Sequence, residues 1–149
     1  MSYQSRIPAD PAYLQALGRA VYNFTYLEWG VIWTIAKLSN DGFGSVPKGK
    51  TAVEIAKALT KAINQTKPPL SAALRTRLVK VDQSYRDAIK RRNKLFHAHP
   101  YTAKDGRQQL GGGGIDWPMA EVDSAAQMFE QAAIACNDVF HGELKKERP

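Results

Sequence analysis

Apolar residues follow a helical period over most of this chain and lose it over one stretch near residue 100. From Asp10-Pro11 onward, Leu14, Leu17, Val21, Phe24, Val31, Ile35 and Leu38 succeed one another at three-, four- and seven-residue steps. Such steps return to one side of a 3.6-residue helix, which predicts a long first helix with a single apolar stripe. Asp10 supplies an N-cap oxygen, and Pro11 suits the first turn, where its missing N–H is not needed. Ser39-Asn40-Asp41-Gly42 stops the helix, and a Gly/Pro/Lys loop runs to Lys50. Thr51-Ala52-Val53-Glu54 has the form of a capping box. The short helix behind it carries Val53, Ile55, Ala56, Leu59 and Ile63 and ends before Pro68-Pro69. A third helix starts at Ser71 with the stripe Leu74, Leu78, Val81, Tyr85, Ala88 and Ile89, and Arg92, Phe96 and His99 extend the same line.

Between Pro100 and Trp117 the period disappears. Tyr101-Thr102-Ala103 and Arg107-Gln108-Gln109-Leu110 flank Lys104-Asp105-Gly106, the composition of a small hairpin. Gly111 to Gly114 reads as a flexible loop. Asp116-Trp117-Pro118 opens a last helix with Val122, Ala126, Phe129, Ala133, Cys136 and Phe140 facing inward, and the charged tail from Glu143 to Pro149 is expected to fray. The expected fold class is all-α. It is a four- to five-helix up-and-down bundle, with a short hairpin before the last helix, in one domain over 1–149 whose ordered core covers 10–145.

Composition narrows the setting. A chain of 149 residues can bury a core without disulfides or metals, and its lone Cys136 cannot form an internal disulfide, which fits a reducing compartment. The polar start MSYQSRIPADP lacks the apolar segment of a signal peptide, and no apolar run approaches the ~20 residues of a membrane helix. A cytoplasmic protein without a membrane association is expected. The net charge of +7 and a pI near 9.6 favour polyanionic partners. Eight of the basic residues lie between Arg75 and Lys94 on the third helix, opposed there only by Asp82 and Asp87.

Two charged residues interrupt apolar stripes: Glu28 on the first helix and Arg92 on the third. A buried Glu28–Arg92 ion pair fixing helix register would account for both. The alternative is chemical. Arg92-Asn93-Lys94-Leu95-Phe96-His97 sets a guanidinium, an amide and an imidazole within six residues, where a basic helix gives way to a loop. Imidazole moves protons near neutral pH, and the guanidinium fork matches phosphate oxygens. RNA transphosphorylation needs these groups: a base for the 2′-hydroxyl, charge stabilisation at phosphorus and an acid for the leaving 5′-oxygen. Five residues correspond to about 140° around a helix, so one motif cannot enclose a phosphate, whereas two motifs across a two-fold axis can.

The segment RRNKLFHAHPY resembles the HEPN family signature, an Arg separated from a His by four to six intervening residues (four here) with a polar residue directly after the Arg. Around it stand a long first helix with an acidic residue in its stripe and a further helix after the motif, so the resemblance covers residues 10–145. It implies a HEPN-type bundle acting as a metal-independent endoribonuclease, without a cofactor, as a homodimer on RNA. It also implies a place in toxin–antitoxin or anti-phage systems, with an antitoxin or regulatory protein as a partner. By position, His97 would be the acid/base, Arg92 the phosphate-stabilising cation and Asn93 an orienting group. Glu28, His99 and Tyr101 would support them, and Arg86, Lys90, Arg91 and Lys94 would hold the RNA. A subset of relatives places Tyr two residues after the His; here that position is His99, and Tyr101 follows two later. Catalytically silent relatives make an RNA- or protein-binding module the runner-up.

Gly44-Ser45-Val46-Pro47-Lys48-Gly49-Lys50-Thr51 also matches the P-loop pattern, but a P-loop requires a strand before it, and here a helix end precedes it. No metal site is expected, because His97-x-His99 lacks a Cys pair or nearby carboxylate. His141 is expected to be exposed.

Overall fold

In a computed structural model, residues 3–149 are described; Met1 and Ser2, the start of the expected domain, lie outside the described residues. Four long helices carry the chain: α1 (Pro11–Leu38), α2 (Ala52–Gln65), α3 (Ala72–Phe96) and α4 (Met119–Val139). A 3-10 turn (Gly42–Ser45) precedes α2. Three strands, β1 (His99–Thr102), β2 (Gln108–Gly112) and β3 (Ile115–Trp117), fill the space between α3 and α4. A π-turn (Phe140–Leu144) leads into a last short helix, α5 (Lys145–Glu147).

Helix starts follow the expected chemistry. Asp10 Oδ1 accepts from the Ala12 amide at 2.9 Å, and Ser71 Oγ accepts from the Leu74 amide at 3.3 Å. At α2 the Glu54 amide donates to Thr51 Oγ1 (3.4 Å), and the Thr51 amide donates to Glu54 Oε2 (2.8 Å). Helix α1 and the 3-10 turn stand where a P-loop requires a strand, and the Thr51 and Glu54 amides are taken up within the capping box.

The buried stripe of α1 follows the expected one from Phe24 to Leu38 and departs from it in the first turns. Tyr13, Ala16, Ala20, Phe24, Leu27, Val31, Ile35 and Leu38 are buried, whereas Leu14 and Val21 are exposed. The cause is the partner. α1 packs most extensively on α4, whose buried face sets the small residues Ala125, Ala126, Ala132, Ala133 and Cys136 among Val122, Phe129 and Val139. Small side chains let the two backbones approach: Asn23 Nδ2 donates to the Ala126 carbonyl at 3.0 Å, and a Cβ on Gly30 would stand 3.4 Å from Cys136 Sγ. On α3 all six expected stripe residues are buried; beyond Ile89 the burial passes to Leu95, leaving Phe96 and His99 exposed.

The all-α expectation is corrected by an antiparallel sheet of order β1-β2-β3. The expected hairpin exists, with Tyr101 opposite Gln109 and Thr102 opposite Gln108. The glycine run is not a loose loop: Gly111 and Gly112 belong to β2, and Gly113 and Gly114 turn the chain with φ of 63° and 80°, open to glycine without strain. Trp117, expected to open the last helix, lies in β3 and is fully buried. The Tyr13 hydroxyl clamps the sheet to α1, donating to the Trp117 carbonyl (2.6 Å) and accepting from the Leu110 amide (2.9 Å).

The tail docks rather than frays. Leu144 is fully buried, Arg77 pairs with Glu143 at 2.6 Å, the Ser71 amide donates to Glu147, and Arg148 donates to the Pro68 carbonyl. Among the described residues, no helix is long and apolar enough to cross a membrane.

Candidate active site at the end of helix α3

The last two turns of α3 carry the Arg–Asn–His motif. Arg92 leaves the core edge by lying between two rings, with its guanidinium carbon 5.1 Å from the Phe24 centroid and 5.0 Å from the Phe96 centroid. Ring faces attract the cation and cover its apolar stem. Its Nη1 donates to Asn93 Oδ1 at 2.7 Å, and its buried Nε has no acceptor.

Glu28 does not pair with Arg92. Among the described residues no carboxylate lies within ion-pair distance of that guanidinium. Glu28 Oε2 instead accepts from the Tyr85 hydroxyl at 2.6 Å. Burial first, then that carboxylate, push the Tyr85 phenol far above its usual range and keep it a donor at every working pH. Tyr85 stands seven residues before Arg92, two turns along the same line of α3. Its role was legible only as core; the signal was a phenol in a stripe facing a carboxylate in a stripe.

His97 is the C-cap of α3. Its backbone amide donates to the Asn93 carbonyl at 3.0 Å, and its exposed side chain makes no hydrogen bond among the described residues. His99 and Tyr101 fall on the outward side of the sheet, with Gln109 and Asp116 on the same side by register. The Tyr101 hydroxyl accepts from Gln109 Nε2 at 2.7 Å, and its ring covers Gly111, where a Cβ would come within 2.6 Å. Thus Arg92 is joined to Asn93, Glu28 to Tyr85 and Tyr101 to Gln109, while no hydrogen bond links Arg92 and His97 within one chain.

The basic helix is less free than its composition suggests. Arg86 pairs within α3 with Asp82 (3.0 Å) and reaches α2 at Thr60 Oγ1 (2.7 Å) and the Ala56 carbonyl (3.2 Å), so this expected RNA contact also serves as a clasp between the two helices. Arg91 pairs with Glu121 at 2.6 Å and lies 4.9 Å over the Trp117 ring. Lys90 and Lys94 remain exposed and form no ion pair among the described residues; they line a shallow recess with Arg91, Ser124, Met128 and the carboxylate Asp87, which accepts from Gln83.

No family model matches the chain, and neither a curated protein nor a solved structure shows significant similarity to it.

Proposed function

We propose that this protein is a metal-independent endoribonuclease of the HEPN type, acting as a homodimer at the end of α3. The observation that carries this reading is Arg92: a half-buried guanidinium with no carboxylate partner and an unsatisfied Nε. An arginine cannot shed its charge, and here two ring faces and one amide oxygen, but no anion, face it. A phosphate arriving from solution supplies the missing anion and matches the planar fork. His97 stands exposed five residues on, free to move a proton.

In this reading His97 accepts the 2′-hydroxyl proton, the 2′-oxygen attacks phosphorus and Arg92 neutralises the charge gathering on the non-bridging oxygens. His97 of the partner subunit protonates the departing 5′-oxygen. The products are a 2′,3′-cyclic phosphate and a 5′-hydroxyl. The resemblance of the motif to HEPN proteins extends the proposal to a cytoplasmic toxin or anti-phage component held in check by an antitoxin or regulatory protein.

A second reading, a catalytically silent RNA- or protein-binding module, draws on the separation of Arg92 and His97 within one chain and on the use of Arg86 and Arg91 in internal pairs. One experiment divides the two. Purified protein is incubated with mixed RNA in EDTA and the product ends are mapped. Cleavage with 2′,3′-cyclic phosphate ends supports the nuclease; RNA that is bound and left intact supports the module.

A further inference from the structure

α1 carries a second aromatic stripe, on the side away from its core. Tyr22, Tyr26, Trp29 and Trp33 are 70%, 51%, 55% and 42% exposed. Their steps of four, three and four residues keep them within about 60° of one another around the helix. Trp29 and Trp33 meet edge to face at 6.0 Å, and Phe43 and Phe140 approach Trp33 at 4.8 and 6.4 Å. A groove lined by Tyr26, Trp29, Gly30, Trp33 and Phe140 runs along the stripe, with Asn137 and His141 of the α4 end at its edge. From Ala20 to Ala36 the only charged residue is Glu28, which is turned toward Tyr85.

The quantities point to an interface. At 150–250 Å² per fully buried aromatic side chain, these rings with Phe43 present on the order of 500 Å² to water. That lies in the upper range of the largest patch on a typical monomer, about 300–600 Å². With its flanks it approaches the ~800 Å² one partner contributes to a standard interface. Enrichment in Tyr and Trp with depletion of charge is the composition of an interface centre.

We propose that this stripe is the seam of a two-fold contact between two copies of the chain, with their α1 helices antiparallel. Alternating four- and three-residue steps are the a/d spacing by which one helix packs along another. The order four-three-four also reads the same in both directions. An antiparallel copy therefore sets Tyr22 opposite Trp33 and Tyr26 opposite Trp29, so each large ring meets another. This self-complementarity is what a two-fold contact requires. The next seam positions toward the N-terminus, Arg19 and Gln15, are polar, and at the other end only the small Ala36 follows before α1 stops at Leu38, so the contact ends on both sides. A polyanion finds no cation within the stripe.

The seam stands independently of the nuclease reading. Phe24, whose ring holds Arg92, is two residues from both Tyr22 and Tyr26, about 200° around the helix, so the motif and the seam use opposite sides of α1. Both contacts form together without conflict, and two different two-folds build a four-chain ring or an open fibre.

The test follows sedimentation mass and tryptophan emission of the full chain from nanomolar to tens of micromolar. Trp117 is fully buried, so emission changes report Trp29 and Trp33. The expected result is a doubling of mass accompanied by a shift of emission to shorter wavelength over the same concentration range. Trp29→Glu and, separately, Tyr22→Lys should halve the associated mass with circular dichroism unchanged, while Trp29→Phe keeps it. Constant emission across the range, or full mass in both charged variants, overturns the seam. A dimer joined only through the Arg92–His97 surface would give that second pattern and leave the nuclease reading standing. Intact RNA with a mass that still responds to Trp29→Glu would remove the nuclease and keep the seam.

Discussion

Where Arg92 interrupts the apolar line of α3, two aromatic rings and a neighbouring amide do the work that a carboxylate does in most buried ion pairs. Breaking a buried pair costs about 3–5 kcal/mol because a charge is stranded. Here Arg92→Ala strands nothing, since Glu28 keeps its bond to Tyr85. The expected loss is therefore about 1–2 kcal/mol, that of two partly exposed cation–π contacts, with RNA cleavage abolished. Tyr85→Phe is the converse: it leaves Glu28 half-buried without its donor, costs about 1–3 kcal/mol, and spares the cleavage groups. Urea unfolding beside a cleavage assay separates the two; an Arg92→Ala loss above that of Tyr85→Phe would show that Arg92 is a structural charge. His97→Ala removes an exposed ring, so stability should move by less than about 0.5 kcal/mol while cleavage falls roughly 10²–10⁴-fold. A His97→Ala protein that cuts at the wild-type rate takes His97 out of the mechanism. At this scale the sequence displayed both anomalous charges but not their partners. Spacing places a residue on a face, and only packing decides whether Glu28 meets Arg92 or Tyr85.

Among the elements, the four helices and the hairpin were legible and the third strand was not. The capping signals Asp10, Thr51–Glu54 and Ser71 mark helix starts as the sequence indicates, because a cap is a contact over two or three residues. In the first half of α1 the buried face departs from the apolar stripe, since Ala16 and Ala20 are buried while the larger Leu14 and Val21 are exposed; from Phe24 onward the two coincide. β3 was hidden because three residues show no period and a glycine run precedes them. What fixes this sheet is Tyr13, from the far end of the chain. Its hydroxyl serves the Trp117 carbonyl and the Leu110 amide together, and burial raises its phenol, against the opposing effect of the Leu110 bond. Tyr13→Phe leaves both groups without that partner and should cost about 1–3 kcal/mol. Hydrogen exchange should quicken at Leu110 before it does in α3. Unchanged protection of that amide would show that the sheet holds without its clasp.

For the molecule as a whole, net charge overstates what a polyanion can reach. Of the cations on α3, Arg77, Arg86 and Arg91 pair with carboxylates, and Arg75 bonds to Asn64 and the Ile63 carbonyl. Near the motif this leaves Arg92, Lys90 and Lys94 for phosphates, three per protomer. Each contact to single-stranded RNA releases counterions worth about −0.7 in the slope of log affinity against log salt, so a dimer engaging both protomers predicts about −4 and a lone protomer about −2. Charge counted from composition alone would predict a far steeper dependence. Lys90→Ala with Lys94→Ala should reduce the dimer's slope to about −1.4, by the same amount on any RNA sequence, since phosphates carry no sequence information. Arg86→Ala should behave otherwise. It removes the clasp between α2 and α3, so thermal stability should fall while the salt slope of the folded protein stays near wild type. The measurement is RNA affinity from 50 to 300 mM salt for wild type and both variants, done in EDTA on RNA with 2′-O-methyl groups so that no strand is cut. A slope unmoved by the two lysine changes would place the RNA on another surface and detach the binding face from the end of α3.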